Sequence, residues 1–110
     1  TDAPVEVFVW HEGVPFSIEE LLVHCGYDPD TSVETTDLDS FFRPVTTLHE
    51  WHGPEEQERV KRFSALRDLL QAELSDIEVY RVGAITIDVY VVGRDWYGNH
   101  LGIATHVVET

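Results

Sequence analysis

Three apolar runs near residues 77–82, 84–92 and 101–108, separated by Gly83 and by a loop from Gly93 to His100, constrain the fold more than any other feature of this chain. Each is short, rich in β-branched and aromatic residues and bounded by turn formers, which is the pattern of strands. So close a succession is most simply an antiparallel meander. A fourth run, VEVFVW at 5–10, is apolar on both faces of an extended segment. It predicts a central strand packed on two sides, with helices covering both faces of the sheet.

The helices are marked by their ends. Ser17 followed by Glu20 is a capping box, and Ile18, Leu21, Leu22 and Cys25 fall at helical spacing before the stop at Gly26. Tyr27 to Ser32 is polar, contains Pro29 and reads as a loop, and residues 33–38 read as a second strand. The following DSFFRPV stays open between a strand end and a helical turn. Pro54 at a first helical position, with Glu55 and Glu56 in the first turn, opens the longest helix, whose buried stripe is Val60, Phe63, Leu66, Leu70 and Leu74. The expected order is β-α-β-α-β-β-β, an α/β (α+β) arrangement of one mixed, largely antiparallel sheet with helices packed on it. With 110 residues, 43% of them apolar, and no linker or internal repeat, one domain over 1–110 is expected.

Charge narrows the function. The formal net charge is −14, and residues 1–58 hold 14 of the 21 acids but a single base, Arg43. Such a field repels nucleic acid and anionic membranes and speeds encounter with a basic protein. Plain solubility is the other reading of the same charge. No stretch approaches the roughly 20 apolar residues of a membrane span. The N-terminus lacks the regions of a signal peptide, and the single cysteine fits a reducing, cytoplasmic compartment. The chain has no methionine, which suggests that residues upstream of Thr1 are missing.

Candidates for catalysis fail on spacing or context. His49-Glu50-Trp51-His52 places its histidines at i and i+3 rather than at the i and i+4 of a metalloprotease helix, so surface histidines near a helix start are the better reading. His24 and Cys25 are adjacent and point about 100° apart on a helix, which leaves Cys25 on the apolar stripe as a core residue. Asp88 interrupts the strongest strand, where a carboxylate satisfied by a neighbour is commoner than a general base. Phosphate-binding glycine loops are absent. The acids Asp28, Asp30, Glu34, Asp37 and Asp39 do not match a calcium loop and read as solvated. The chain is therefore expected not to be an enzyme, and to need no cofactor or metal of its own.

Three features suggest binding instead. Trp51 lies in a polar segment between Glu50 and His52, and Trp96-Tyr97 sit in the middle of a polar loop. Exposed aromatics among acids have the composition of a contact hot spot, although loop tryptophans also fold back onto cores. The last strand runs into Thr110 with no tail, so its terminal carboxylate is expected near a rigid edge, where it can ligate a hard metal or accept hydrogen bonds.

Read together, EVFVW at 6–10, DLDSFF at 37–42, T-x-x-x-EW at 46–51, VYRVG at 79–83, DVYVVG at 88–93 and GIATHVVET at 102–110 resemble the nuclease A inhibitor family, which blocks sugar-non-specific nucleases. The resemblance implies a three-layer α-β-α sandwich similar to the pathogenesis-related protein fold. It also implies a protein that plugs the active-site cleft of a metal-dependent nuclease. Glu50 and Trp51 would contact the nuclease near that cleft, and Thr110 would approach the partner's magnesium. A family helix and a glutamate expected before the first strand would precede Thr1. Residues 11–32 and 94–100 match poorly. An acidic interaction module with a different basic partner is the alternative.

Overall fold

The computed structural model describes residues 4–11 and 13–108. Its elements run β1 (Glu6–Val9), α1 (Ile18–His24), β2 (Val33–Thr36), α2 (Leu38–Thr46), α3 (Pro54–Glu73), β3 (Ser75–Val82), β4 (Thr86–Arg94) and β5 (His100–Val108). The five strands form one sheet in the order β1-β5-β4-β3-β2. Every neighbouring pair is antiparallel. The C-terminal meander is as the glycine-separated runs predict, with Gly83 at φ 111 in its first turn. A Cβ there would meet the Thr86 carbonyl oxygen at 2.5 Å, so both backbone angle and space select glycine.

Two expectations change. The first strand lies at the sheet edge rather than its centre. Trp10, just past its end, is buried and Phe8 half-buried, whereas Val7 and Val9, on the opposite face, remain 79% and 67% exposed. The run is apolar on both sides, yet only one side is covered. The strands packed on both faces are β3 and β4, where Val79, Ile87, Val89 and Val91 are buried on one face and Val82 and Val92 on the other. The second change is α2, a helix absent from the expected order, so that the order is β-α-β-α-α-β-β-β and the sheet is antiparallel throughout rather than mixed.

Local chemistry explains α2. Strand β2 stops at Thr36 because Asp37 caps the helix, its Oδ1 accepting from the Ser40 N–H at 2.6 Å. Leu38 and Phe42 are buried, and Phe41 and Val45 half-buried, at helical spacing. Pro44 removes one N–H close to the C-terminal end, where few helical bonds remain to be made. Thr46 and Thr47 hydroxyls then donate to the carbonyls of Phe42 and Arg43 at 2.9 and 2.7 Å.

Alternation along β3 and β4 separates two apolar clusters. Val79, Ile87, Val89, Val91 and Ile103 pack with α2 and α3 through Leu38, Phe42, Phe63, Leu66 and Leu70. On the other face, Val82, Tyr80 and Tyr90 pack with Trp10, Leu21 and Leu22. Helix α1 begins at the expected cap, with Ser17 Oγ accepting from the Glu20 N–H at 3.1 Å. It ends one residue before Cys25, which is its C-cap and is exposed rather than in the core. The helix stops before its stripe reaches that position.

Candidate functional site

Helix α3 sets the geometry. It runs into β3 through its C-cap Leu74, and Ser75 pairs with Arg94 at the foot of the β4–β5 turn. Its other end belongs with the far end of the sheet, since Arg59, Phe63 and Leu66 line a cavity of ≈ 770 Å³ together with Ile103, His106 and Val107. The segment that leads into α3 therefore lies toward the end of β5, and the β4–β5 turn lies at the opposite end. Twenty helical residues cover about 30 Å. Of the five expected contact residues, Glu50 and Trp51 fall in the first region and Trp96 and Tyr97 in the second. Thr110 lies outside the described residues.

The segment before α3 is a closed turn. His52 N–H donates to the His49 carbonyl at 3.1 Å, His49 N–H donates to His52 Nδ1 at 3.3 Å, and the Gln57 side chain donates to the His52 carbonyl at 3.1 Å. Three rings pack on one another. Trp51 stacks on His49 with centroids 5.1 Å apart, and His52 stands edge-on to both at 4.4 and 4.9 Å. The histidines thus hold a tryptophan that is 75% exposed, beside an exposed Glu50. Among the described residues, no group of three or more His, Cys, Asp or Glu side chains is arranged to hold a metal ion.

At the other end, one carboxylate builds the β4–β5 turn. Asp95 Oδ1 accepts from the N–H groups of Tyr97 and Asn99 at 2.9 and 2.8 Å, and Oδ2 accepts from the Asn99 side chain at 3.3 Å. The backbone closes the same turn, Asp95 N–H to the Asn99 carbonyl at 2.9 Å and Gly98 N–H to the Asp95 carbonyl at 3.1 Å. Gly98 sits at φ 85, a conformation that glycine adopts without strain. Desolvation alone would raise the Asp95 carboxyl, but the hydrogen bonds from Asn99, Tyr97 and Gly98 outweigh it and hold the group below the ordinary carboxylate range. Trp96 and Tyr97 project from this turn, 92% and 86% exposed. The sequence pointed to the aromatic pair. Asp95 was missed, although an Asp two residues before a backbone donor is the signature of such a turn.

Asp88 and His24, both considered for catalysis, are occupied by structural bonds. The Tyr27 hydroxyl donates to Asp88 Oδ2 and lies 2.7 Å from the Tyr90 hydroxyl, which donates in turn. Burial, then hydrogen bonding to Asp88, pushes the Tyr27 phenol well above its ordinary range, and burial likewise pushes Tyr90 up to about 12. His24 pairs with Glu20 at 3.2 Å and stands edge-on to Trp10. Asp28 Oδ1 accepts from the Asp30 N–H at 3.0 Å, and Asp37 is a helix cap, so part of the acidic run shapes turns.

A scan of protein-family models matches the nuclease A inhibitor-like protein family over residues 1–110, the whole chain. The chain belongs to this family. No individual curated protein matches it. Membership in the nuclease A inhibitor-like family points to a nuclease as partner and to a role as inhibitor rather than enzyme. No helix among the described residues is long and apolar enough to cross a membrane.

Proposed function

We propose that this chain inhibits a metal-dependent, sugar-non-specific nuclease by occupying its active-site cleft. The observation that carries the reading is the family match across all 110 residues. The physical chemistry agrees with it. A cleft that holds polyphosphate carries cations and a metal, so a protein of formal charge −14 is drawn to the same field. Glu50 supplies a carboxylate and Trp51 an apolar anchor on a turn closed before binding, which lowers the ordering cost of association. Thr110 is the residue proposed to approach the metal of the nuclease. In this reading the chain acts as an inhibitor rather than an enzyme, in the cytoplasm and as a single domain. The two apolar clusters, one on each face of the sheet, support the three-layer α-β-α reading, and similarity to the pathogenesis-related protein fold is part of the same proposal.

The test is an inhibition assay on a panel of purified sugar-non-specific nucleases. Inhibition at submicromolar protein, weakened by Trp51→Ala and by removal of Thr110 with the fold intact, is the expected result. No inhibition of any of them at micromolar protein overturns the proposal in favour of an acidic module for another basic partner. Inhibition unaffected by either change overturns the assignment of the contact residues.

A further inference from the structure

The Asp95-closed turn has no role in folding that explains its two rings. Trp96 and Tyr97 are almost fully exposed, cover none of the core, and stand on a turn made rigid by five hydrogen bonds around one residue. Rigid aromatic side chains of this kind bury large areas on contact at low entropic cost. The turn also lies at the end of α3 opposite Trp51, about 30 Å away by helix rise. That is the full width of an ordinary interface patch of about 800 Å² per partner. Trp51 and Trp96 therefore do not share one desolvated centre. The foot of the turn is acidic, with Glu73, Asp76 and Glu78 exposed around Arg94, which is itself paired to Asp76 at 3.5 Å.

We infer that the Trp96–Tyr97 turn is a second contact surface, held in its binding conformation by Asp95, that grips the basic surface of the nuclease outside its active-site cleft. This rests on the proposed inhibition and adds to it a division of labour. The Glu50–Trp51 end blocks the cleft, and the Trp96–Tyr97 end prolongs the complex. The rim beside a polyphosphate-binding cleft is basic, which matches the acids at the foot of the turn. Asp95 is a positioning residue, because both its carboxylate oxygens are engaged within the turn.

The experiment measures association and dissociation rates of the parent chain, Trp96→Ala/Tyr97→Ala, Asp95→Ala and Asp95→Asn on a nuclease that the parent inhibits, with thermal unfolding of each variant alongside. The double variant and Asp95→Ala are expected to dissociate about tenfold faster or more, with association little changed and inhibition still complete at saturation. Asp95→Asn keeps a carbonyl oxygen for the Tyr97 and Asn99 N–H groups and is expected to stay within about threefold of the parent. Parent-like dissociation of the double variant overturns this inference alone and leaves the inhibition standing. Equal weakening by Asp95→Asn and Asp95→Ala shows the charge itself to be the contact and overturns the positioning role. A parent that inhibits no nuclease overturns the proposed function and this inference with it.

Discussion

The indole of Trp51 lies parallel to the imidazole of His49, with ring planes inclined by only 7°. An exposed tryptophan on a loop ordinarily samples several rotamers, and the stacked ring beneath it removes that freedom before a partner arrives. Such a pair contributes about 0.5–1.5 kcal/mol. Replacing His49 by Ala is accordingly expected to weaken nuclease inhibition by roughly 2–10-fold, with Phe at the same position restoring most of the loss. Titrating inhibition with the three proteins side by side checks it.

Alkaline pH should act on the Tyr27–Tyr90 pair. Both phenols are raised in the folded chain, so the folded state keeps its protons where the unfolded chain, with phenols near 10, gives them up. The stability they contribute is complete below about pH 10 and falls as pH rises toward the Tyr90 value of about 12. Urea unfolding at several pH values between 9 and 11.5 should show a decline for the parent that is shallower in Tyr27→Phe/Tyr90→Phe. Equal slopes would show that the pair does not govern the alkaline limb.

The acid limb has the opposite sign. Backbone and side-chain hydrogen bonding with Ser40 holds Asp37 below the ordinary carboxylate range. Its contribution to the start of α2 is therefore present above the unfolded value of about 3.9 and disappears as pH falls through the lower folded value. Hydrogen exchange should find the first turn of α2 loosening early in an acid titration. In Asp37→Ala that turn should be loose already at neutral pH.

Core and contact surface should separate cleanly in unfolding experiments. Leu21 is 0% exposed and joins α1 to the Trp10–Val82 cluster. Leu21→Ala is expected to cost about 2–5 kcal/mol in denaturant unfolding. Trp96→Ala, at a position 92% exposed, is expected to change stability by less than about 0.5 kcal/mol. A large loss for the second variant would mean that the indole packs on the protein.

Much of this architecture was legible because its signals are local. The Ser17 cap, the Pro54 start of α3 and the glycine between β3 and β4 each act within a few residues, and all three are where the sequence puts them. Position within the sheet is not local. Nothing in EVFV tells whether Val7 and Val9 meet a helix, and only the lie of α2 and α3 decides it. Helix α2 was obscured by Pro44, whose cost falls late in the helix, and by β-prone Thr35 and Thr36 just before the Asp37 cap. Cys25 went astray by a single residue of helix length. The paired aromatics stood out as residue types, whereas the separation of Trp51 from Trp96 is a property of α3 and the sheet together.

The uncovered valines of β1 also bear on how the protein behaves in solution. An outer strand with free backbone groups and a bare apolar face is a template for another strand, and like charge between copies is what keeps it from being used. That protection fades toward the isoelectric point of about 4.5, which lies above the range in which the Asp37 cap is expected to be lost. Mild acidification should therefore precipitate native protein before it denatures any. Lys in place of Val7 should keep it clear, because a charge on that face hinders stacking of copies whatever the net balance.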